Sequence, residues 1–567
     1  MNTDCVKPLI IVGIDGITLD LIVPWVRGGN LPHFAQFMRD GAYGQLRSVF
    51  QPLSPPAWAS FQTGVNPGKH GVYDFFELKD FFKLKGGGKP FPVNAGSIRF
   101  KPFWKIASEH GKRVAIVNLL GTYPVSPVNG VMISGMLAPS QGRICFPDSL
   151  LDEIREAVGG YVLDVDVALG LVNNVSPGDF AEALFEMTRL RIKAARYLMT
   201  REQWDLFLLV FVSTDRIQHF FWKYMDPVRS DVSVEEREKY GSVILDSYTL
   251  LDAFLGEVNE MVGDEANVII ASDHGFGPIY LDVNLNKWLA QQGFLEPKAQ
   301  VANVKRSLYQ RVHGLIPPRL IKWSRDRFLP VIPRLSIGDQ LGIDWRETRA
   351  YSLGDFGNIY VNLKGRNLNG IVEAGREYEQ VCDSIKRQLL SWKNPETGGP
   401  LVRAVHRGNE IYTGSHADIA PDLVIEWEDY AYTSYHLRKV DDPLFAKPDE
   451  SMNFGSIEYC ANHRLDGVVL MKGPTVRSGV MLYDAGIVDI APTSLYLMGL
   501  PVSTEVDGRI LLEALHEDFR SKSSVVGAVK GESSSQVGRD EAMVPGHSYS
   551  DDELTEIEER LRNLGYL

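Results

Sequence analysis

Five short, almost unbroken apolar runs constrain this chain more than any other feature: Leu9–Ile14, Val114–Val117, Leu206–Val212, Val268–Ala271 and Val468–Met471. Runs this short without polar alternation read as strands covered on both faces, the condition of a parallel sheet. Between them lie segments of helical spacing, such as the stretch from Phe180 to Met199, where Leu184, Met187, Leu190 and Ile192 recur among Arg and Lys. Strands alternating with helices predict an α/β sandwich around a mostly parallel sheet. Ligands of such sheets bind at the carboxyl ends of the strands, so the polar residues that end each run are the place to look for chemistry.

Those ends carry a consistent set of side chains. The first run stops at Asp15-Gly16, where an Asp can cap the next helix or ligate a metal. The run NVIIASDHG stops at Asp273 and His274, which set a hard oxygen and an imidazole at one tight turn and suit zinc or manganese better than calcium. After WDLFLLVFVSTDRIQH come Asp215 and His219; a helix starting after Thr214 would put both on one face at i, i+4. A capping Asp beside an unrelated His is the plain alternative. Repetition at three strand ends argues against it. His463, in CANHRLDGVVLMKG, precedes the last run and falls at the same rim.

A nucleophile is expected in QPLSPPAWASFQTGVNPGKHG, which holds three hydroxyls, Ser54, Ser60 and Thr63, in a Pro- and Gly-rich frame. Pro55 and Pro56 fix the backbone after Ser54, as suits a hydroxyl at a helix start, where free N–H groups favour anions. The chemistry of the residues alone does not choose among the three.

The ordered set Asp15, LSPPAWASFQTGVNPGKHG, Asp215-x-x-x-His219, Asp273-His274-Gly275 and His463 resembles the alkaline phosphatase superfamily, in particular its type I phosphodiesterase/nucleotide pyrophosphatase branch and the bacterial predicted phosphohydrolases and phosphomutases. The segment DIAPTSLYLMGLP, followed by VDGRILLEAL, is similar to the close of that fold. The resemblance covers about residues 8–285 and 455–515. It implies an alkaline-phosphatase-like three-layer α/β sandwich with an inserted cap. It implies Ser54 as nucleophile, one metal on Asp15, Asp273, His274 and the Ser54 oxygen, and a second on Asp215, His219 and His463. The ions would be zinc, with manganese the alternative, and the reaction hydrolysis of a phosphodiester or nucleotide-like substrate through a phosphoserine intermediate.

The chain departs from many nucleotide pyrophosphatases in carrying Ala57 where they have Asn three residues after the nucleophile. Trp58, Lys69 and Arg464 are candidate substrate contacts, with His70 beside them. A phosphomonoesterase or cofactor-independent phosphomutase stays open on the same fold. A sulfatase is disfavoured, because Trp58 stands where the formylglycine pattern has Arg. A non-catalytic scaffold would have lost ligands, and none of the seven is missing.

Composition bears on partners and boundaries. Lys+Arg 59 against Asp+Glu 72 gives a net charge of -13, which argues against general binding of nucleic-acid polymers, while two cations could still reverse the sign locally for a small phosphorylated substrate. The apolar runs are far shorter than the about 20 residues of a membrane-spanning helix, and four scattered cysteines with no leader-like segment suggest the cytoplasm. Catalytic-core segments are expected at 1–285 and 455–518, flanking a cap at 286–454 that contains a basic stretch (Lys305, Arg306, Arg311, Arg319, Lys322, Arg325, Arg327, Arg334). Residues 519–547 read as a flexible linker. Residues 548–567 read as a helix with a Ser550/Glu553 capping box and a Leu554, Ile557, Leu561, Leu564 stripe, which would dock on the body or mediate a homo-oligomer.

Overall fold

In the computed structural model, nine strands form one sheet: β1 (Leu9–Ile14), β2 (Ala42–Arg47), β3 (Val114–Leu119), β4 (Gly130–Ser134), β5 (Cys145–Phe146), β6 (Leu206–Phe211), β7 (Asn267–Ala271), β8 (Asp466–Lys472) and β9 (Val480–Gly486), in the order β9-β2-β8-β7-β1-β6-β3-β4-β5. Residues 6–77, 91–165, 176–298, 341–434, 439–448, 453–454, 457–522 and 549–563 are described. Every residue of β1, β3, β6 and β7 is buried, so both faces of the sheet's centre are covered, and the fold is the expected α/β with a large, mostly parallel central sheet. The helix expected around 180–199 runs Pro177–Arg201 and is started by a Ser176/Asp179 capping box.

The sheet is mostly parallel, but β8 runs antiparallel to both β2 and β7, against the parallel reading of Val468–Met471. A strand buried on both faces carries no directional signal. Its direction follows from its connection, and here the chain enters straight from the strand Ala461–Arg464 at the carboxyl end of the sheet. Strands β2 and β9 escape a search for apolar runs, since β2 alternates buried with exposed residues and β9 is a largely exposed edge.

A second core is built largely from the region expected to form a cap, with Tyr73, Val283 and Leu285 added from outside it. An antiparallel sheet ordered Ala350–Ser352, Asn358–Val361, Leu423–Trp427, Val402–Arg407 carries the helix Arg376–Leu390, whose Val381, Cys382, Ile385 and Leu389 are buried against it. The basic stretch Lys305–Arg334 lies outside the described residues, as does most of the expected linker, whose first residues end the helix Glu517–Lys522. No helix among the described residues is long and apolar enough to cross a membrane.

The last helix, Asp551–Asn563, docks on the catalytic core. Ser550 N donates to Glu553 Oε2 at 2.7 Å, Tyr123 donates to Glu553 Oε1 at 2.6 Å, and Arg560 Nη1 reaches Ala138 O at 2.7 Å. Leu554, Ile557 and Leu561 join the main core, so these three side chains are covered by the chain's own body, and Leu564 lies outside the described residues. Ile557→Ala should destabilise the protein by about 2–5 kcal/mol, the usual cost of emptying a fully buried aliphatic site. Urea unfolding measures this, and a loss below half a unit would mean the helix is not part of the cooperative core.

Candidate active site

The register of the three central strands sets the site. Ile14 of β1 lies level with Phe211 of β6, and Gly13 with Ala271 of β7, so Asp15, the helix Ser213–Met225 and the Asp273-His274 turn leave the sheet side by side. Asp215 falls in the first turn of that helix and His219 one turn later. The helix begins at Ser213, two residues before the expected start. His463 arrives on Ala461–Arg464, which pairs with Gly275–Pro278 and sets His463 opposite Phe276. Ser54 opens the helix Ser54–Thr63, with both prolines in its first turn.

The structure brings all seven side chains together, each no more than 3% exposed. Ser54 Oγ is 3.3 Å from His274 Nε2, which also lies 3.4 Å from Asp15 Oδ1 and 3.2 Å from Asp273 Oδ2. Asp215 Oδ1 lies 3.3 Å from His219 Nε2 and 3.0 Å from His463 Nε2, and those two nitrogens are 3.1 Å apart. Donor atoms of Asp215, His219 and His463 fall within 4.8 Å of one another, as do those of Asp15, Asp215 and His274. Asp215 therefore borders both groups, a position its spacing to His219 does not reveal.

The imidazoles are oriented by backbone carbonyls. His219 Nδ1 meets Ala461 O at 2.8 Å, His274 Nδ1 meets Gly275 O at 3.0 Å, and His463 Nδ1 meets Pro52 O at 2.7 Å. A carbonyl only accepts, so each Nδ1 carries the proton and each Nε2 turns a bare lone pair inward. Asp15 Oδ1, Asp215 Oδ1 and Asp273 Oδ2 have no hydrogen-bond donor. Converging lone pairs and orphaned carboxylate oxygens in a buried pocket are costly without a cation, so these residues fit divalent metal ions. Burial, with Asp273 and Asp215 nearby, pushes the Asp15 carboxyl well above its ordinary range, and burial pushes Asp273 up to about 7. Burial also holds His219 and His274 below the ordinary imidazole range.

The three hydroxyls separate by environment. Ser60 Oγ is paired with His70 Nε2 at 2.8 Å and Thr63 donates to Ala59 O at 2.6 Å, while Ser54 alone faces the cluster. The three candidate substrate contacts have partners of their own. Trp58 is fully buried and donates Nε1–H to Asp15 Oδ2 at 3.3 Å, so it offers no face for stacking. Lys69 is spent on Glu505 O and the Asp507 carboxylate. Arg464 sits on the face of its strand opposite His463, its guanidinium over Gly277 where a Cβ would collide with it, and pairs with Asp20 at 3.7 Å. His70 is a buried structural histidine, its pKa pulled down to about 3 by burial. Trp58→Phe keeps the ring and removes the donor; kcat/KM should fall about tenfold, as for other partners of ligating side chains, with little change in melting temperature. Unchanged kinetics would show that Asp15 does not need the indole.

Sequence reading missed two neighbours. Arg216, inside the quoted STDRIQH segment, donates Nη1 to Asp215 Oδ2 at 2.9 Å. Phe356 comes from the inserted region and places its ring 5.5 Å from His463, with a backbone φ of 67°. Only the glycines on either side, Gly354 and Gly357, hint at so tight a loop.

A family model described as type I phosphodiesterase/nucleotide pyrophosphatase matches residues 9–450. The chain belongs to this family. As a member of the type I phosphodiesterase/nucleotide pyrophosphatase family it is a phosphoester hydrolase, and the family depends on divalent metal. Comparison with curated proteins returns no match. Among solved structures, human ectonucleotide pyrophosphatase/phosphodiesterase 5 is similar at 14% identity and a TM-score of 0.47, over 90% of this chain and 100% of its own. An inactive form of the murine protein in complex with AMP is similar at 15% identity and a TM-score of 0.46, over the same shares, 90% and 100%.

Proposed function

We propose that this member of the family hydrolyses phosphodiesters with Ser54 as nucleophile and two divalent ions, zinc in preference to manganese. Asp15, Asp273, His274 and Ser54 Oγ would hold one ion and Asp215, His219 and His463 the other. The observation that carries the reading is Ser54 Oγ standing 3.3 Å from His274 Nε2, at the edge of both ligand groups. Three nitrogen donors favour zinc over the hard cations that prefer all-oxygen sites.

Each residue has a definite part. Bound there, the ions would lower the pKa of the hydroxyl and neutralise charge on the phosphoryl oxygens. The first turn of the Ser54–Thr63 helix presents its positive end to the phosphoryl group. The Gly275 carbonyl holds His274 so that Nε2 stays directed at Ser54. Ser54 Oγ attacks phosphorus and gives up its proton, the P–O bond to the leaving oxygen breaks and that oxygen departs as an alcohol by taking up a proton, and the phosphoryl group, still carrying its other ester, remains on Ser54. Water then cleaves the Ser54 Oγ–P bond and restores the hydroxyl.

A diester is favoured over a monoester by the fate of the nearby cations. Among the described residues, Lys69 is paired with Asp507 and Arg216 with Asp215, while Arg464 lies 3.7 Å from Asp20 and keeps a buried Nε without a partner. A dianionic monoester would need more positive charge than these leave, whereas a monoanionic diester needs less. The test compares bis-p-nitrophenyl phosphate with p-nitrophenyl phosphate across a panel of divalent metals. Preference for the diester with Zn or Mn is expected. A clear preference for the monoester would replace this reading with the phosphomonoesterase one.

A further inference from the structure

The helix that supplies Asp215 and His219 carries a buried arginine between them. Arg216 is 2% exposed, as inaccessible as the candidate ligands themselves. Its Nη1 donates to Asp215 Oδ2 at 2.9 Å, and its Nη2 lies 3.6 Å from Asp164 Oδ2, whose side chain is 1% exposed. The two oxygens of Asp215 thus face opposite demands. Oδ2 is taken by the guanidinium, while Oδ1 has no donor and looks toward His219 and His463.

Arg216 is balanced in charge by the two buried carboxylates beside it, and it bears at the same time on what Asp215 can hold. A guanidinium draws charge out of the carboxylate and repels any cation the carboxylate would hold, with little screening at this depth. The Asp164 carboxylate acts in the opposite sense, because it offsets part of the charge of Arg216.

Resting on the two-metal reading above, we infer that Arg216 is a tuning residue. It loosens the hold of the Asp215, His219, His463 group on its ion and leaves that ion more able to draw charge from the substrate, and Asp164 sets how strongly it does so. The strand ends supply the ligands. The Asp164–Arg216–Asp215 array sets their strength.

The two substitutions therefore have opposite signs. Arg216→Met should tighten Co2+ binding at one of two sites by about tenfold while lowering kcat by about tenfold or more, the range seen for partners of ligating residues. Arg216→Lys keeps the charge and should stay near wild-type affinity. Asp164→Asn removes the balancing anion and should weaken the same site by about tenfold.

Metal-stripped full-length protein is titrated with Co2+, followed by visible absorption and by competition with a chromophoric chelator, alongside kcat on bis-p-nitrophenyl phosphate. A merely structural arginine predicts weaker binding in Arg216→Met together with lost activity, and that result overturns the inference. So does unchanged or tighter binding in Asp164→Asn, which carries the test by itself if Arg216→Met does not fold. Failure of the wild type to bind Co2+ is a separate outcome, visible before any variant is made, and it removes the two-metal reading itself.

Discussion

Replacing Ser54 by alanine is expected to lower turnover of bis-p-nitrophenyl phosphate by at least about 10³-fold, the scale on which covalent catalysis fails when its nucleophile is removed. The expected loss is large because nothing adjacent can substitute. Ser60 is committed to His70 and Thr63 to the Ala59 carbonyl, and both lie further along the helix, away from the ligand cluster. Fold and metal content should survive, since the other donors come from the ends of β1, β6 and β7 and from the strand Ala461–Arg464, none of which depends on the Ser54 hydroxyl. Rapid acid quench of the wild type during turnover should trap a phosphorylated peptide containing Ser54. Wild-type rates in Ser54→Ala, with no trapped phosphopeptide, would remove Ser54 from the mechanism and point to direct attack by water.

How much of this could be read beforehand depends on what each signal encodes. Asp15, Asp215, Asp273 and His274 were legible because each follows the end of an apolar run within three residues, and parallel strands send such ends to one edge; His219 lies one helical turn beyond Asp215, and His463 stands just before the run that forms β8. The choice of hydroxyl was not legible, because Ser54, Ser60 and Thr63 share one helix, and only packing decides which faces the site and which bonds to His70 or to the backbone. The surroundings of Trp58, Lys69 and Arg464 were hidden for the same reason. Proximity in sequence to a ligand does not fix which face a side chain takes, and Arg464 lies on the opposite side of its strand from His463. The antiparallel course of β8 depends on the route of the inserted region, which local composition does not record. Arg216 was in plain view between two ligands, but an arginine in the first turn of a helix is ordinarily a surface residue, and burial is what gives it meaning.

Stripping the divalent ions with a chelator should abolish hydrolysis and lower the melting temperature, and the gap between loaded and stripped protein should widen as pH rises from about 5 to about 7. The sign follows from the carboxyls. Burial raises Asp273 to about 7 and, with neighbouring Asp273 and Asp215, raises Asp15 well above 3.8 in the metal-free fold. Both groups therefore hold protons in the fold that the unfolded chain has already released, so their contribution is fully present below about pH 4 and is lost as pH climbs toward their folded values. His219 and His274 work the other way, since burial lowers them below 6.5 and the unfolded chain takes up protons first; their penalty on the metal-free fold grows as pH falls below about 6.5. Bound ions require ionised carboxylates and neutral imidazoles. Every proton that must leave for the ion to enter therefore weakens binding at low pH. At an ion concentration about 100 times its Kd, each ion adds about 2.7 kcal/mol to stability, and this contribution shrinks toward zero as protons compete. Paired thermal melts at pH 5, 6, 7 and 8, with and without chelator, read the difference directly. A gap that stays constant or narrows with rising pH would mean that Asp15 and Asp273 are already ionised before the metal arrives, and that the buried cluster is held by something other than the exchange of protons for cations.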